Sequence, residues 1–100
     1  MTMASEADVP AQIRERLARL DPVMVELYDE SGEHIGHAGA RDGGGHYRVL
    51  VVSNRFRGLP PLSRHRLVYQ AVADMMQRHI HALAITAYTP EEMEAAFPAT

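Results

Sequence analysis

Six histidines and no cysteine are the residues of this chain that point most directly to chemistry. His34 and His37 lie in a glycine-rich stretch at residues 32–45, and His81 lies far along the chain in an apolar run at residues 80–85. Imidazole is the commonest metal ligand in proteins, so these histidines are candidate ligands. Two or three imidazoles without a thiolate form an incomplete site, which a partner has to complete.

The elements that position these histidines follow the order α-β-β-α-β-α. Helical spacing of apolar residues and capping residues predict a first helix from Asp8 to the Asp21-Pro22 pair and a second from Ser63 to about Arg78. Alternating or continuous apolar runs predict strands at residues 23–28, 46–52 and 80–88. Thr89 is predicted to cap a short final helix.

This order predicts an α+β, two-layer fold with a three-stranded mixed sheet. A loop alone joins the first two strands, which should be antiparallel, whereas a helix joins the second and third, which should be parallel. The second strand is then in the middle of the sheet, and both long helices cover one face.

The predicted topology brings the histidines together. His81 is the second residue of its strand, and the glycine-rich loop ends where the parallel neighbouring strand begins. Adjacent strands are about 4.8 Å apart, so the loop and His81 share one edge of the sheet within the span of a metal centre. The topology does not choose among the loop histidines His34, His37 and His46. For His46, a plain position at the end of a strand is the simpler interpretation.

A second group of residues with possible chemistry is Ser63-Arg64-His65-Arg66, at the predicted start of the second helix. Cations in a first helical turn oppose the helix dipole, whereas the free N–H groups there favour an anion. Arg64, His65 and Arg66 are therefore candidates for binding an anion or an acidic partner, and side chains turned into solvent are the simpler alternative.

Length and composition predict a single domain at residues 8–96, with a disordered segment at 1–7 and a tail at 97–100. We read no signal peptide and no membrane span, and we expect a soluble, cytoplasmic protein. The net charge of −3 argues against coating nucleic acid by bulk charge, although residues 43–73 hold five arginines and no acid. Because no catalytic motif is recognisable, we expect no enzyme.

Several motifs together resemble the BolA family. They are Asp29-Glu30-Ser31 before the histidine loop, His46-Tyr47-Arg48-Val49, Ser-x-x-Phe-x-Gly at residues 53–58, Arg64-His65-Arg66, His81-Ala82-Leu83 and Thr89-Pro90-Glu91-Glu92. The resemblance covers roughly Ile13 to Met93. One departure is Gly45, because the family usually has threonine or serine before the His-Phe pair, here His46-Tyr47.

The resemblance implies a fold similar to class II KH domains and a specific partnership. Such proteins pair with monothiol (CGFS) glutaredoxins, and the mixed dimer holds a [2Fe–2S] cluster together with glutathione. The family's C-terminal histidine ligand matches His81, and its loop ligand matches His34 by position, with His37 as the competing candidate. Two histidines in place of two cysteines raise the reduction potential of such a cluster and make its binding sensitive to pH.

Two other functions remain open from the sequence. The KH-like fold and the acid-free arginine stretch suit a nucleic-acid-binding transcriptional regulator, with DNA as the partner. However, the GXXG spelling of residues 36–39 lies between strands, whereas a KH domain needs it between helices. A self-contained zinc site is the weaker alternative, because structural zinc takes four ligands and thiolates are missing.

Overall fold

The computed structural model describes residues 8–31 and 45–98. The three strands are β1, Met24–Asp29, β2, Gly45–Val52, and β3, Ile80–Tyr88. The three α-helices are α1, Val9–Leu17, α2, Pro61–Ala71, and α3, Pro90–Ala96. Short 3-10 turns span Ala18–Leu20, Asn54–Phe56 and Ala73–Met75.

The sheet has the predicted topology. Its strand order is β1-β2-β3, with β1 antiparallel and β3 parallel to the central β2. Both pairings follow from the connections, since β2 and β3 are joined through α2 and parallel strands need such a crossover. The α+β two-layer prediction is confirmed.

The core lies between one face of the sheet and the helices. Alternate residues of β2 point towards it, as the period of two requires, and they form one buried cluster with apolar residues of α1 and α2. Members of this cluster are Ile13, Leu17, Tyr47, Val49, Val51, Val68 and Val72. Because His46 and Arg48 alternate with these β2 residues, they belong to the opposite face of the strand.

The helix ends show which local predictions were right. The Asp8 side chain accepts a hydrogen bond from the N–H of Ala11 at 3.2 Å, as a capping residue does. Thr89 and Glu92 form a complete capping box at the start of α3. The predicted start of α2 at Ser63 is wrong, because the helix begins at Pro61, whose missing N–H is tolerated in a first turn.

The predicted end of the second helix is also wrong. The helix stops at Ala71, and a 3-10 turn at Ala73–Met75 follows, so His79 lies in the turn before β3 and not in a helix. A further correction concerns Val23, which was predicted to open the first strand and instead lies exposed just before it.

Within the described residues, no helix has the length and apolar character needed to span a membrane. The segment predicted to be disordered, residues 1–7, lies outside the described residues. The predicted domain limits, 8–96, and the tail, 97–100, stay predictions.

Candidate functional site

His81 sits on an irregularity at the beginning of β3. Gly45 pairs with Ile80, but the next residue of β2, His46, pairs with Ala82, so His81 is an extra residue in the ladder. Such a bulge redirects a side chain and is over-represented at the rims of sheets beside functional sites. His81 is exposed at this rim.

His46 lies directly against His81. Their ring centroids are 5.3 Å apart and their planes differ by 17°, which is a stacked arrangement. The sequence favours a plain strand-end position for His46 over a ligand role, and it does not predict this contact. The available signal was that both residues open parallel, neighbouring strands, but the bulge that aligns the rings is not visible in the sequence.

Hydrogen bonds of the backbone and of the Ser31 side chain fix this rim. The Ser31 hydroxyl accepts from the N–H of His46 at 2.9 Å, and the N–H of Glu30 donates to the carbonyl of His46 at 2.8 Å. The N–H of Gly45 donates to the carbonyl of His79 at 3.1 Å. Residues on both sides of the 32–44 segment are therefore held at the rim that carries His81.

The predicted loop ligands, His34 and His37, lie outside the described residues. The prediction that one of them shares the rim with His81 therefore stays a prediction. The described residues that flank their segment, Ser31 and Gly45, are joined to β2 and to the turn before β3 by the bonds given above. Among the described residues, no three side chains of histidine, aspartate or glutamate are grouped to hold a metal ion.

The first residue of β2, Gly45, lies where there is no room for a side chain. A Cβ atom at this position lies 2.6 Å from Cε2 of Tyr47 and 2.8 Å from Oγ of Ser31. Tyr47 is buried, and this burial raises the pKa of its phenol. A side chain at position 45 therefore requires the tyrosine ring and the serine hydroxyl to shift in this structure.

In the first turns of α2, Arg64 binds other residues of the same chain. Its guanidinium donates to the carbonyls of Leu59 and Ala87 at 2.7 and 3.1 Å and also binds both carboxylate oxygens of Glu92. Only 11% of its side chain is exposed. The Arg64 hydrogen bond, followed by that of the Thr89 backbone, lowers the pKa of Glu92 to about 2. In this structure Arg64 links α2, β3 and α3.

His65 is half-buried and Arg66 is exposed on the same helix. The structure does not test the predicted binding of an anion or partner by Arg64, His65 and Arg66, and this role stays a prediction. What the structure adds is that the guanidinium of Arg64 already has three partners within the chain.

Most arginines of the acid-free stretch, residues 43–73, are paired in the fold with acidic side chains from outside that stretch. Four of its five arginines form ion pairs with acids from other parts of the chain, at 2.5 to 2.9 Å. The pairs are Arg48–Glu30, Arg55–Asp21, Arg57–Glu91 and Arg64–Glu92. The positive run in the sequence therefore does not form an equally positive surface.

Comparisons with known proteins agree with this fold and with these motifs. A family profile described as BolA-like protein matches residues 17–92. BolA-like protein 1 of Mus musculus is 46% identical over 90 residues, covering 89% of this chain and 64% of that protein. The DNA-binding transcriptional regulator BolA of Escherichia coli is 40% identical over 87 residues, covering 82% of this chain and 80% of that protein.

A solved structure shows the same likeness. The BolA domain of SufE1 from Arabidopsis thaliana superposes with a TM-score of 0.73 at 38% identity, covering 88% of this chain and 99% of that domain. The chain spans about three fifths of the length of the mammalian relatives it matches. The family match covers most of this chain, from the end of α1 into α3, and includes the rim with His46 and His81. The chain therefore belongs to the BolA-like protein family.

Proposed function

We propose that this chain is a non-enzymatic adaptor for an iron–sulfur cluster. It pairs with a monothiol glutaredoxin and shares with it a glutathione-bound [2Fe–2S] cluster, in cluster trafficking or iron sensing. The cluster is cargo carried between the two proteins. His81 supplies one ligand from this chain, and His34 or His37 supplies the other.

The observation that carries the proposal is the placement of His81. Its imidazole is exposed on the bulge of β3, beside the rim where Ser31 and Gly45 flank the segment that contains the candidate loop histidines. A ligand for a shared cluster has to be accessible from outside the chain, and His81 meets that requirement.

The donor chemistry supports the same function. Iron–sulfur clusters are usually held by cysteine thiolates, with histidine replacing cysteine in Rieske-type centres. This chain has no cysteine, so it can contribute imidazoles but not thiolates. The cysteine of a monothiol glutaredoxin and the thiol of glutathione complete the coordination.

The test mixes this chain with apo monothiol glutaredoxin, glutathione, ferrous iron and sulfide, and records visible circular dichroism. The wild-type chain should give a spectrum distinct from that of glutaredoxin alone. His81→Ala should abolish it, and one of His34→Ala and His37→Ala should weaken it more than the other. His79→Ala, an imidazole deletion in the turn before β3, is the matched control. Wild-type spectra from all three ligand variants reject the site.

A second candidate function is DNA binding, which the name of the E. coli relative favours. The arginine stretch at residues 43–73 is its basis in this chain. Phosphate contacts make affinity fall steeply with salt. Binding to duplex DNA at moderate salt, with a steep salt dependence, supports this function, whereas undetectable binding under those conditions rejects it.

A further inference from the structure

We infer that His46 is a positioning residue: its ring is a platform that holds the imidazole of His81 in the orientation in which His81 binds the cluster. This inference rests on the proposed function, because it assigns to His81 the role of a ligand. It adds a residue that the family resemblance did not assign and that the sequence alone did not single out.

The stacking geometry shows whether His46 supports His81 or is itself a second ligand. The rings are 5.3 Å apart and only 17° from parallel. An imidazole nitrogen binds a metal in the plane of its ring, at about 2.0–2.1 Å for zinc. Two nearly parallel, stacked planes do not converge on one ion, so in this arrangement His46 supports His81 and does not chelate with it.

The two residues differ in how firmly the backbone holds them. His46 is on the central strand, and its N–H and carbonyl are bonded to Ser31 and Glu30 at 2.9 and 2.8 Å. His81 is on the edge strand, at a bulge, with an exposed side chain. Support therefore runs from His46, whose backbone is held on both sides, to the exposed residue His81.

The contact also has a direct effect before any cluster binds. A ring without a neighbour samples several rotamers, and fixing it in one rotamer costs conformational entropy. Because the stacked ring of His46 already restricts His81, that entropy is lost when the chain folds. His81 is therefore preorganised, and the cost of ordering it does not fall on cluster binding.

The first experiment uses the chain alone, labelled with ¹³C and ¹⁵N at histidine, and follows the ring signals of His81 by NMR. His46→Ala should shift these signals and remove the cross-peaks between the two rings. His46→Phe, which keeps an aromatic ring but has no nitrogen, should keep the His81 shifts close to their wild-type values. If His46→Ala leaves the His81 ring signals unchanged, there is no platform and the inference is wrong.

The second experiment measures how long the mixed complex with glutaredoxin and glutathione keeps its visible circular dichroism after a chelator is added. His46→Ala should shorten this lifetime about two- to tenfold, the range expected for losing one aromatic pair. His46→Phe should restore it. A His46→Phe lifetime as short as that of His46→Ala identifies His46 as a ligand and overturns the positioning role.

The two experiments keep this inference and the proposed function separate. If the wild-type chain forms no mixed cluster, the proposed function fails, while the NMR result still decides whether His46 orients His81. Thermal unfolding of both variants, with His79→Ala as the matched imidazole deletion, shows whether a loss of signal comes from unfolding. The phenylalanine variant keeps the test decisive if His46→Ala is unstable.

Discussion

The Ser31 hydroxyl accepts a hydrogen bond from the backbone N–H of His46 at 2.9 Å and so ties the residues after β1 to the start of β2. Asp29 holds Ser31 in place, because its carboxylate accepts from the Ser31 N–H, also at 2.9 Å. These two bonds join the end of β1 to the start of β2 at the rim where His46 stacks on His81.

Replacing Ser31 with alanine leaves the N–H of His46 without this acceptor. We expect Ser31→Ala to lower the free energy of unfolding by about 0.5–1.5 kcal/mol, the usual net value of one hydrogen bond. Urea unfolding measures the change. Ser63→Ala, the same change at a half-buried position of α2, should cost less than about 0.5 kcal/mol. Equal effects of the two substitutions would show that the Ser31 bond adds nothing.

Restoring the usual residue of the family at position 45 should destabilise this chain. A Cβ atom there lies 2.6 Å from the Tyr47 ring and 2.8 Å from the Ser31 hydroxyl, and overpacking of this kind costs about 1–3 kcal/mol. We expect Gly45→Thr and Gly45→Ala to lower the urea midpoint and to shift the NMR signals of His46. A Gly45→Thr variant that is more stable than the wild type would contradict the steric account.

The Arg64–Glu92 pair predicts a specific dependence of stability on pH. The pKa of Glu92 falls from its ordinary 4.5 to about 2 in the folded chain. A carboxyl whose folded pKa is lowered stabilises the fold above its unfolded pKa, and this contribution is lost as pH falls through the folded value. The difference in free energy of unfolding between wild type and Glu92→Gln should therefore be constant above about pH 5 and shrink between pH 4.5 and 2.

Urea unfolding at pH 7, 4.5, 3 and 2.5 measures this difference. Glutamine is a suitable replacement because it also completes a capping box. Arg64→Met should remove the same pH-dependent part, since its guanidinium is the main cause of the shift. A difference that stays constant down to the lowest pH argues against the ion pair.

The paired arginines predict how DNA affinity responds to charge. Asp21→Asn combined with Glu91→Gln releases Arg55 and Arg57 from their ion pairs. If DNA phosphates then bind these two arginines, the slope of log affinity against log salt should steepen by about 2. Glu26→Gln with Glu94→Gln makes the same change in net charge at acids that are not the ion-pair partners of Arg55 and Arg57. Equal slopes for the two double variants would show that the ion pairs do not limit DNA binding.

Much of the fold could be predicted because local patterns and chain connections agree. The bounds of β3 and the cap at Thr89 follow from an apolar run and a capping box, and the parallel pairing follows from the helix between β2 and β3. The end of α2 could not be predicted. A continuous helix and a helix followed by a 3-10 turn both bury Met75, and the apolar pattern is the same for the two.

The candidate site was predictable only in part. The position of His81 at the rim follows from topology, since β2 and β3 begin at the same edge. The stack with His46 depends on the register shift between Gly45 and His46, which tertiary packing decides. The bonds of Arg64 within the chain depend on α3 lying next to α2. Arg64 and Glu92 are 28 residues apart, and rules for helix starts use only neighbouring residues, so they cannot predict this contact.

The central claim is that the imidazole of His81 binds the shared cluster. The most direct measurement is pulsed EPR of the reduced complex, assembled from ¹⁵N-histidine-labelled chain, unlabelled glutaredoxin and glutathione. We predict strong ¹⁵N coupling from bound imidazole in the wild type, and in His81→Ala the loss of the cluster or of one coupled nitrogen. A cluster with the same nitrogen coupling in His81→Ala as in the wild type would contradict the claim.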